Sequence, residues 1–182
     1  MESLKYKKIH IFGASGSGTT TLGKFLSKEL GYKHFDTDDY YWIATNPPYQ
    51  IKRPVEERQK LLLKDLTDNN QWVWSGAMTS WADPFIPLFD LVVYLWLPKE
   101  IRLERLAKRE AEDFGDKILP GGEMYETYID FMDWAGNYDN DNVDFTRCSK
   151  NHNLWIKTLP CKVVRIEGDF SLEEKLKIIQ TS

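Results

Sequence analysis

Apolar residues recur in this chain at two alternating periods. Short runs at Lys8–Phe12, Lys33–Asp36, Trp72–Ser75, Leu91–Leu97 and Lys162–Ile166 have the length of strands. The run LVVYLWL at Leu91–Leu97 is apolar throughout, as expected of a strand buried on both faces. Between these runs the period lengthens to that of a helix. Leu22, Phe25, Leu26 and Leu30 share one face and predict a helix over Thr19–Leu30, ended by Gly31. Val55–Leu66 and Lys99–Asp113 read the same way, and Met124, Tyr128, Phe131, Met132 and Ala135 mark a further helix. Ser171 and Glu174 have the spacing of a capping box before a last helix with Leu172, Leu176 and Ile179. The aromatic, proline-bearing stretch Tyr40–Pro54 reads as a loop or short helix. Strands separated by helices predict an α/β fold, a parallel sheet covered on both faces.

The first strand runs into IFGASGSGTTTLGKFL, and there the pattern acquires chemistry. Gly13 and Gly18 stand five apart and a hydroxyl follows at Thr20, the outline of the phosphate-binding loop G-x-x-x-x-G-K-[ST]. Thr19 stands where that pattern has lysine. A loop between a strand and a helix presents backbone N–H groups and the positive end of the helix dipole to an anion. Thr20 falls where such a hydroxyl ligates Mg²⁺. The missing charge must come from elsewhere: from Lys24, one turn on and leaning back towards the helix start, or from arginines later in the chain. A dinucleotide-binding turn is a second reading, with Asp36 at the distance of a ribose-binding acid. No Tyr-x-x-x-Lys pair accompanies it.

Composition narrows the partners. The 182 residues are 42% hydrophobic, enough for one domain with a core, and the net charge of −4 gives no global field for nucleic acid. Cys148 and Cys161 are too few for a disulfide framework and fit reduced thiols in a cytoplasm. The start, MESLKYKKIHIF, reads as neither signal peptide nor membrane span. Cys148, His152 and Cys161 lack paired zinc-ligand spacing, and they read as ordinary residues. The run Asn137–Asp144 lacks the glycine and final glutamate of an EF-hand and reads as a polar lid loop.

GASGSGTTTLGKFL, FDTDD, WVWSGA and LPKEIRLERLAKRE, in this order and spacing, resemble the adenylate-kinase-like branch of P-loop kinases, which includes nucleotide, nucleoside and shikimate kinases. Small bacterial kinase-like proteins with GASGSGTTTLG and a PGGxMYE segment, here Pro120–Glu126, match most closely. The resemblance implies a three-layer sandwich with a five-stranded parallel sheet in the order 2-3-1-4-5. It also implies an acceptor-binding segment at about 37–70 and a helical lid at about 110–150 within a single domain spanning 1–182. It further implies ATP and Mg²⁺ as cofactors and a small-molecule acceptor, with no nucleic-acid or membrane partner.

Carried onto this sequence, the resemblance gives the donor phosphates to Gly13, Ala14, Ser15, Gly16, Ser17, Gly18, Thr19, Thr20 and Thr21. Asp36 and Asp38 match an acidic pair, one supporting Mg²⁺ beside Thr20 and one contacting the acceptor hydroxyl. A solvated turn capping a helix suits the same two acids. The fourth strand ends at Pro98 without an acid, so the metal role falls to this pair. Arg102, Arg105 and Arg109 recur at i, i+3 and i+7, and the resemblance closes them over the transferring phosphate. The alternative for them is a solvated, ion-paired face. Arg58 is a candidate for an anionic acceptor, or a surface ion pair with Glu57 or Asp65. Trp42, with Tyr40, Tyr41, Trp74 and Trp81, offers either stacking faces or core packing. Gly76 matches a glycine that admits the acceptor to the backbone, or is a turn residue. The function expected is an ATP-dependent kinase of nucleoside or nucleotide type. A non-catalytic nucleotide-binding regulator is the alternative.

Overall fold

The strand β1 (Lys8–Gly13) lies at the centre of a parallel sheet, with β5 (Trp72–Ser75) on one side and β6 (Leu91–Trp96) on the other. The strand β2 (Lys33–Asp36) extends the sheet beyond β5, and β7 (Lys162–Glu167) extends it beyond β6. The order β2-β5-β1-β6-β7 is the expected 2-3-1-4-5 when the five sheet strands alone are counted. These elements come from a computed structural model that describes residues 4–46, 48–78, 81–140 and 147–182.

Alternation along each strand builds two cores. Ile9, Ile11, Val73, Leu91, Val93 and Leu95 pack with Leu22 and Leu26 of α1 (Thr19–Leu30) and with Leu176 and Ile179 of α7 (Leu172–Gln180). Phe12, Trp72, Trp74, Val92 and Tyr94 point the other way and pack with Leu62 and Leu66 of α3 (Val55–Asp68). Burying each such aliphatic side chain contributes roughly 1.5–3 kcal/mol. The apolar run in β6 is therefore two interleaved faces, each served by its own helices. Trp74 and Trp81 belong to the second core, as does Tyr40, so these three of the five candidate stacking rings are packing residues.

The predicted helices form at α1, α3, α4 (Lys99–Phe114), α5 (Tyr125–Gly136) and α7, the last with both hydrogen bonds of its capping box. The stretch read as a loop or short helix contains α2 (Thr37–Tyr41) and a two-stranded hairpin, β3 (Trp42–Ile43) and β4 (Ile51–Lys52). Strands of two residues leave no period to detect. A 3₁₀ turn at Asp83–Leu88 and the helix α6 (Ser149–Ile156) are additional. Pro84 and Pro87 disguise the first, and α6 is too short to show a full apolar stripe. Among the described residues, no helix is long and apolar enough to cross a membrane.

Candidate functional site

Between β1 and α1 the chain turns through Gly13–Gly18. Gly16 has φ 81°, and a Cβ there would lie 2.6 Å from the carbonyl oxygen of Arg102, so the loop is pressed against the backbone of α4. Gly18, at φ 90°, opens α1 without a side-chain cap. The α1 N–H groups thus keep their capacity for an outside anion. Gly13, Ala14, Ser15, Gly16, Gly18, Thr19, Thr20 and Thr21 all line one cavity of about 710 Å³. Ser17 does not: its side chain is buried beneath the loop and its Oγ has no partner.

Asp36 ends β2 beside this cavity. One carboxylate oxygen accepts from Thr20 Oγ1 at 2.7 Å and from Ser75 Oγ at 3.1 Å. The other accepts from the Asp38 N–H at 3.1 Å and caps α2. The capping role and the site role therefore coincide in one residue. Asp38 lines the loop cavity too, and its carboxyl is held above the usual range by burial and by Asp36, against the opposing pull of Arg147 and Arg109. Thr20 and Asp36 present oxygen donors of the kind Mg²⁺ prefers. Among the described residues no group of three or more acidic, histidine or cysteine side chains could cage a metal. An ion with one or two protein ligands and its remaining positions on phosphate fits that donor set.

Gly76 also borders the cavity, but its close neighbour is Thr37, whose Cβ lies 2.7 Å from where a Gly76 Cβ would be. Glycine is needed there to seat α2 against β5.

The structure divides the arginine stripe. The Arg102 side chain is fully buried behind the loop. Its guanidinium reaches the carbonyls of Leu97 at 3.2 Å, Ala135 at 3.1 Å and Ser15 at 3.5 Å, and the Asp139 carboxylate at 2.6 Å. With every arm engaged, Arg102 is a tie between β6, the loop and α5, and its expected place over the phosphate is corrected. Arg105 and Arg109 do line the cavity. Arg105 pairs with Asp169 at 2.6 Å, and its guanidinium is 4.0 Å from where a Gly18 Cβ would sit. Arg109 pairs with its neighbour Glu110 at 2.7 Å. Lys24 is exposed, its charge acts on His34 and Asp39, and it does not border the loop cavity.

A second cavity of about 610 Å³ adjoins the first and has aromatic walls, with Tyr41, Trp42 and Tyr49 on one side and Tyr128, Phe131 and Trp134 of α5 on the other. Trp42 is therefore a wall residue. Arg58 borders neither cavity. It is buried, donates to the Arg53 carbonyl, and stacks 3.8 Å from the Tyr41 ring centre, so it supports that wall from behind. Its suggested ion-pair partners are engaged elsewhere, Glu57 with Arg53 and Asp65 with the Tyr40 hydroxyl.

Sequence reasoning missed Arg147, Asp169 and Lys175. Arg147 borders both cavities and lies over the rings of Tyr41, at 5.5 Å, and Trp134, at 6.0 Å. No spacing marks it, because it follows a polar run and precedes a short helix. Asp169 and Lys175 come from the β7–α7 connection and α7, more than a hundred residues from the loop, and only the sheet brings them to it. Part of the run Asn137–Asp144 lies outside the described residues. Asp139 within it is the partner of Arg102. His152 Nδ1 and the Tyr138 hydroxyl share a hydrogen bond of 2.8 Å beside a Tyr94–Tyr138 contact of 2.9 Å, and the imidazole packs edge-on against Phe12.

A family model described as an AAA domain matches residues 9–130. The uncharacterized protein YqaC of Bacillus subtilis (strain 168) is 48% identical over 170 residues, 93% of each chain. A cytidylate kinase of Archaeoglobus fulgidus is 30% identical over 58% of this chain and 63% of its own length. A shikimate kinase of Acinetobacter baylyi is 30% identical over 53% of this chain and 59% of its own. This chain thus spans less than two thirds of those two kinases. The solved shikimate kinase from Bacteroides thetaiotaomicron shares the fold, with a TM-score of 0.54 over 97% of both chains at 17% identity. From these matches the chain belongs to the AAA domain family, and its five-stranded parallel sheet is the fold it shares with the solved shikimate kinase.

Proposed function

We propose that this protein is an ATP-dependent phosphotransferase that moves the γ-phosphoryl group to a hydroxyl or phosphate of a small acceptor with a planar ring, of nucleoside or nucleotide type. One observation carries the reading: Asp38, Arg109 and Arg147 line both cavities, at the place where a donor phosphate and an acceptor would meet. The loop and the α1 N-terminus hold the donor phosphates, and the aromatic cavity receives the ring by stacking. Thr20 and Asp36 would hold Mg²⁺, which neutralises charge on the phosphates. Asp38 takes the proton of the attacking hydroxyl. The new acceptor O–P bond forms as the β–γ bridging bond breaks, and ADP leaves. Arg109 and Arg147 orient the phosphoryl group and meet the charge that develops on it. Residues 37–70 supply one acceptor wall, and the helical segment after α4 acts as the lid and supplies the other. The cytidylate and shikimate kinases among the relatives support the reaction class.

The dinucleotide alternative loses its footing on the strand order. A dinucleotide fold sets the second strand beside the first, whereas β5 separates β2 from β1 here, and Asp36 is bonded to Thr20. The test is turnover with Mg²⁺ and ATP across nucleosides, nucleoside monophosphates and small hydroxylated metabolites, read as ADP and phosphorylated product. The expected result is acceptor-dependent ADP formation with a ring-bearing acceptor. ATP binding with no acceptor-dependent turnover on any member would replace the reading with a nucleotide-binding regulator.

A further inference from the structure

The loop carries Thr19 where the phosphate-binding pattern has lysine, and its own helix offers no substitute within the cavity. A different cation does reach it. Lys175, in the first turn of α7, borders the same cavity as Gly13–Gly16 and Gly18–Thr21 although it is only 6% exposed. Lysine is almost never buried without a partner. Among the described residues, no carboxylate forms an ion pair with the Lys175 ammonium, and its side chain makes no hydrogen bond. The two acids whose charge it feels are both committed elsewhere. Asp169 is held by Arg105 at 2.6 Å. Glu174 closes the capping box by accepting the Ser171 N–H at 2.7 Å. The other charge facing Lys175 is Arg105 itself, which repels it. Burial and that repulsion both hold the ammonium below its ordinary pKa, and a bound polyanion would offset both by attraction.

We propose that Lys175 supplies, from the opposite end of the chain, the positive charge that the loop lacks, and that its ammonium contacts the phosphates of the bound nucleotide. This rests on the reading of the loop as a nucleotide site. The capping box then has a second use, because it keeps Glu174 from neutralising Lys175 and so leaves the ammonium available. The Arg105–Asp169 pair does the same for the second nearby acid.

Lys175→Met keeps length and packing while removing the charge. Calorimetric titration of the full chain with MgATP and with inorganic tripolyphosphate reads the effect. Both affinities are expected to fall about tenfold or more, the scale of one charge-assisted hydrogen bond. The double variant Thr19→Lys with Lys175→Met is expected to recover most of the loss, because the charge returns at the ordinary position. Lys175→Arg should bind close to wild type. Lys175→Gln takes the place of the methionine variant if that one does not fold. Unchanged affinities in the folded variant overturn the proposal. Loss of ATP binding with tripolyphosphate binding intact also overturns it, since the contact would then be with base or sugar. Failure of Thr19→Lys to recover binding does so as well. A wild-type chain that binds neither probe overturns the nucleotide reading itself, and that outcome is seen before any variant is made.

Discussion

Asp38 is the residue on which the proposed chemistry turns. It borders both cavities, and Asp36 beside it is bound to Thr20 and Ser75, so the two acids are differently placed for different work. Asp38→Asn preserves shape and removes the ability to take a proton. Turnover on the responsive acceptor should fall on the order of a hundredfold or more, the scale of a lost general base, while MgATP affinity changes little. Wild-type turnover in that variant, measured under saturating ATP, would reduce Asp38 to a wall residue. Neighbouring acids on a sequence look alike. Here Asp36 is spoken for by hydroxyls and an N–H within 3.1 Å, and Asp38 is left facing the place where the cavities join.

At the scale of elements, α4 shows how one helix serves two purposes. Its Arg105 and Arg109 face the loop cavity, and its Arg102 passes behind the loop to bind Leu97, Ala135 and Asp139. Spacing along a helix places the three on one stripe, but what each meets depends on α5 and the loop, which spacing does not specify. Arg102→Ala would remove the side-chain donor from those carbonyls and from one oxygen of Asp139, whose other oxygen keeps the Trp96 N–H. Asp139 is also one third exposed, so the expected loss of stability is about 1–3 kcal/mol, the scale of buried carbonyls left without a donor, read by urea denaturation at neutral pH. A loss within about 0.5 kcal/mol, the ordinary surface range, would show that the tie contributes nothing to the fold. Arg58 follows the same logic on α3, where a ring of the aromatic cavity wall, Tyr41, covers the guanidinium.

Across the whole molecule, two buried imidazoles are expected to make stability fall in acid. His10 donates through Nδ1 to the Trp74 carbonyl at 3.1 Å and lies among Phe12, Phe89 and Trp74; burial pushes its pKa down to about 3. His152 is pushed down to about 4, by burial first and by the Arg147 charge second. Both pKa values are lower folded than unfolded, so the unfolded chain binds more protons at mildly acid pH. Their contribution is fully present above the ordinary value of 6.5 and is lost as pH falls from there towards 4 and 3. Urea midpoints taken between pH 7 and pH 4 should drop steeply, and His10→Phe should flatten that slope. An unchanged slope in His10→Phe would assign the acid sensitivity to other groups.

The elements and their class are legible in the residues alone. Period-2 and period-3.6 patterns are local, and so are the signals that start and stop helices, so β1, α1, α7 and the loop between strand and helix can be read without coordinates. The pair Thr20 and Asp36 is legible too, because the loop pattern places the first and the end of a strand places the second. The hairpin of β3 and β4 is not, since two residues cannot display a period, and α6 is too short to do so. Which charges share the site is settled by packing in three dimensions. Arg102 leaves it because α5 covers that part of α4, and Arg58 leaves it because Tyr41 lies over the guanidinium. Arg147 and Lys175 join it because a parallel sheet with β1 at its centre gathers the carboxyl ends of distant strands, and the segments after them, at one edge. A charge's partner depends on through-space distance and burial, and neither is encoded in the spacing of residues along the chain.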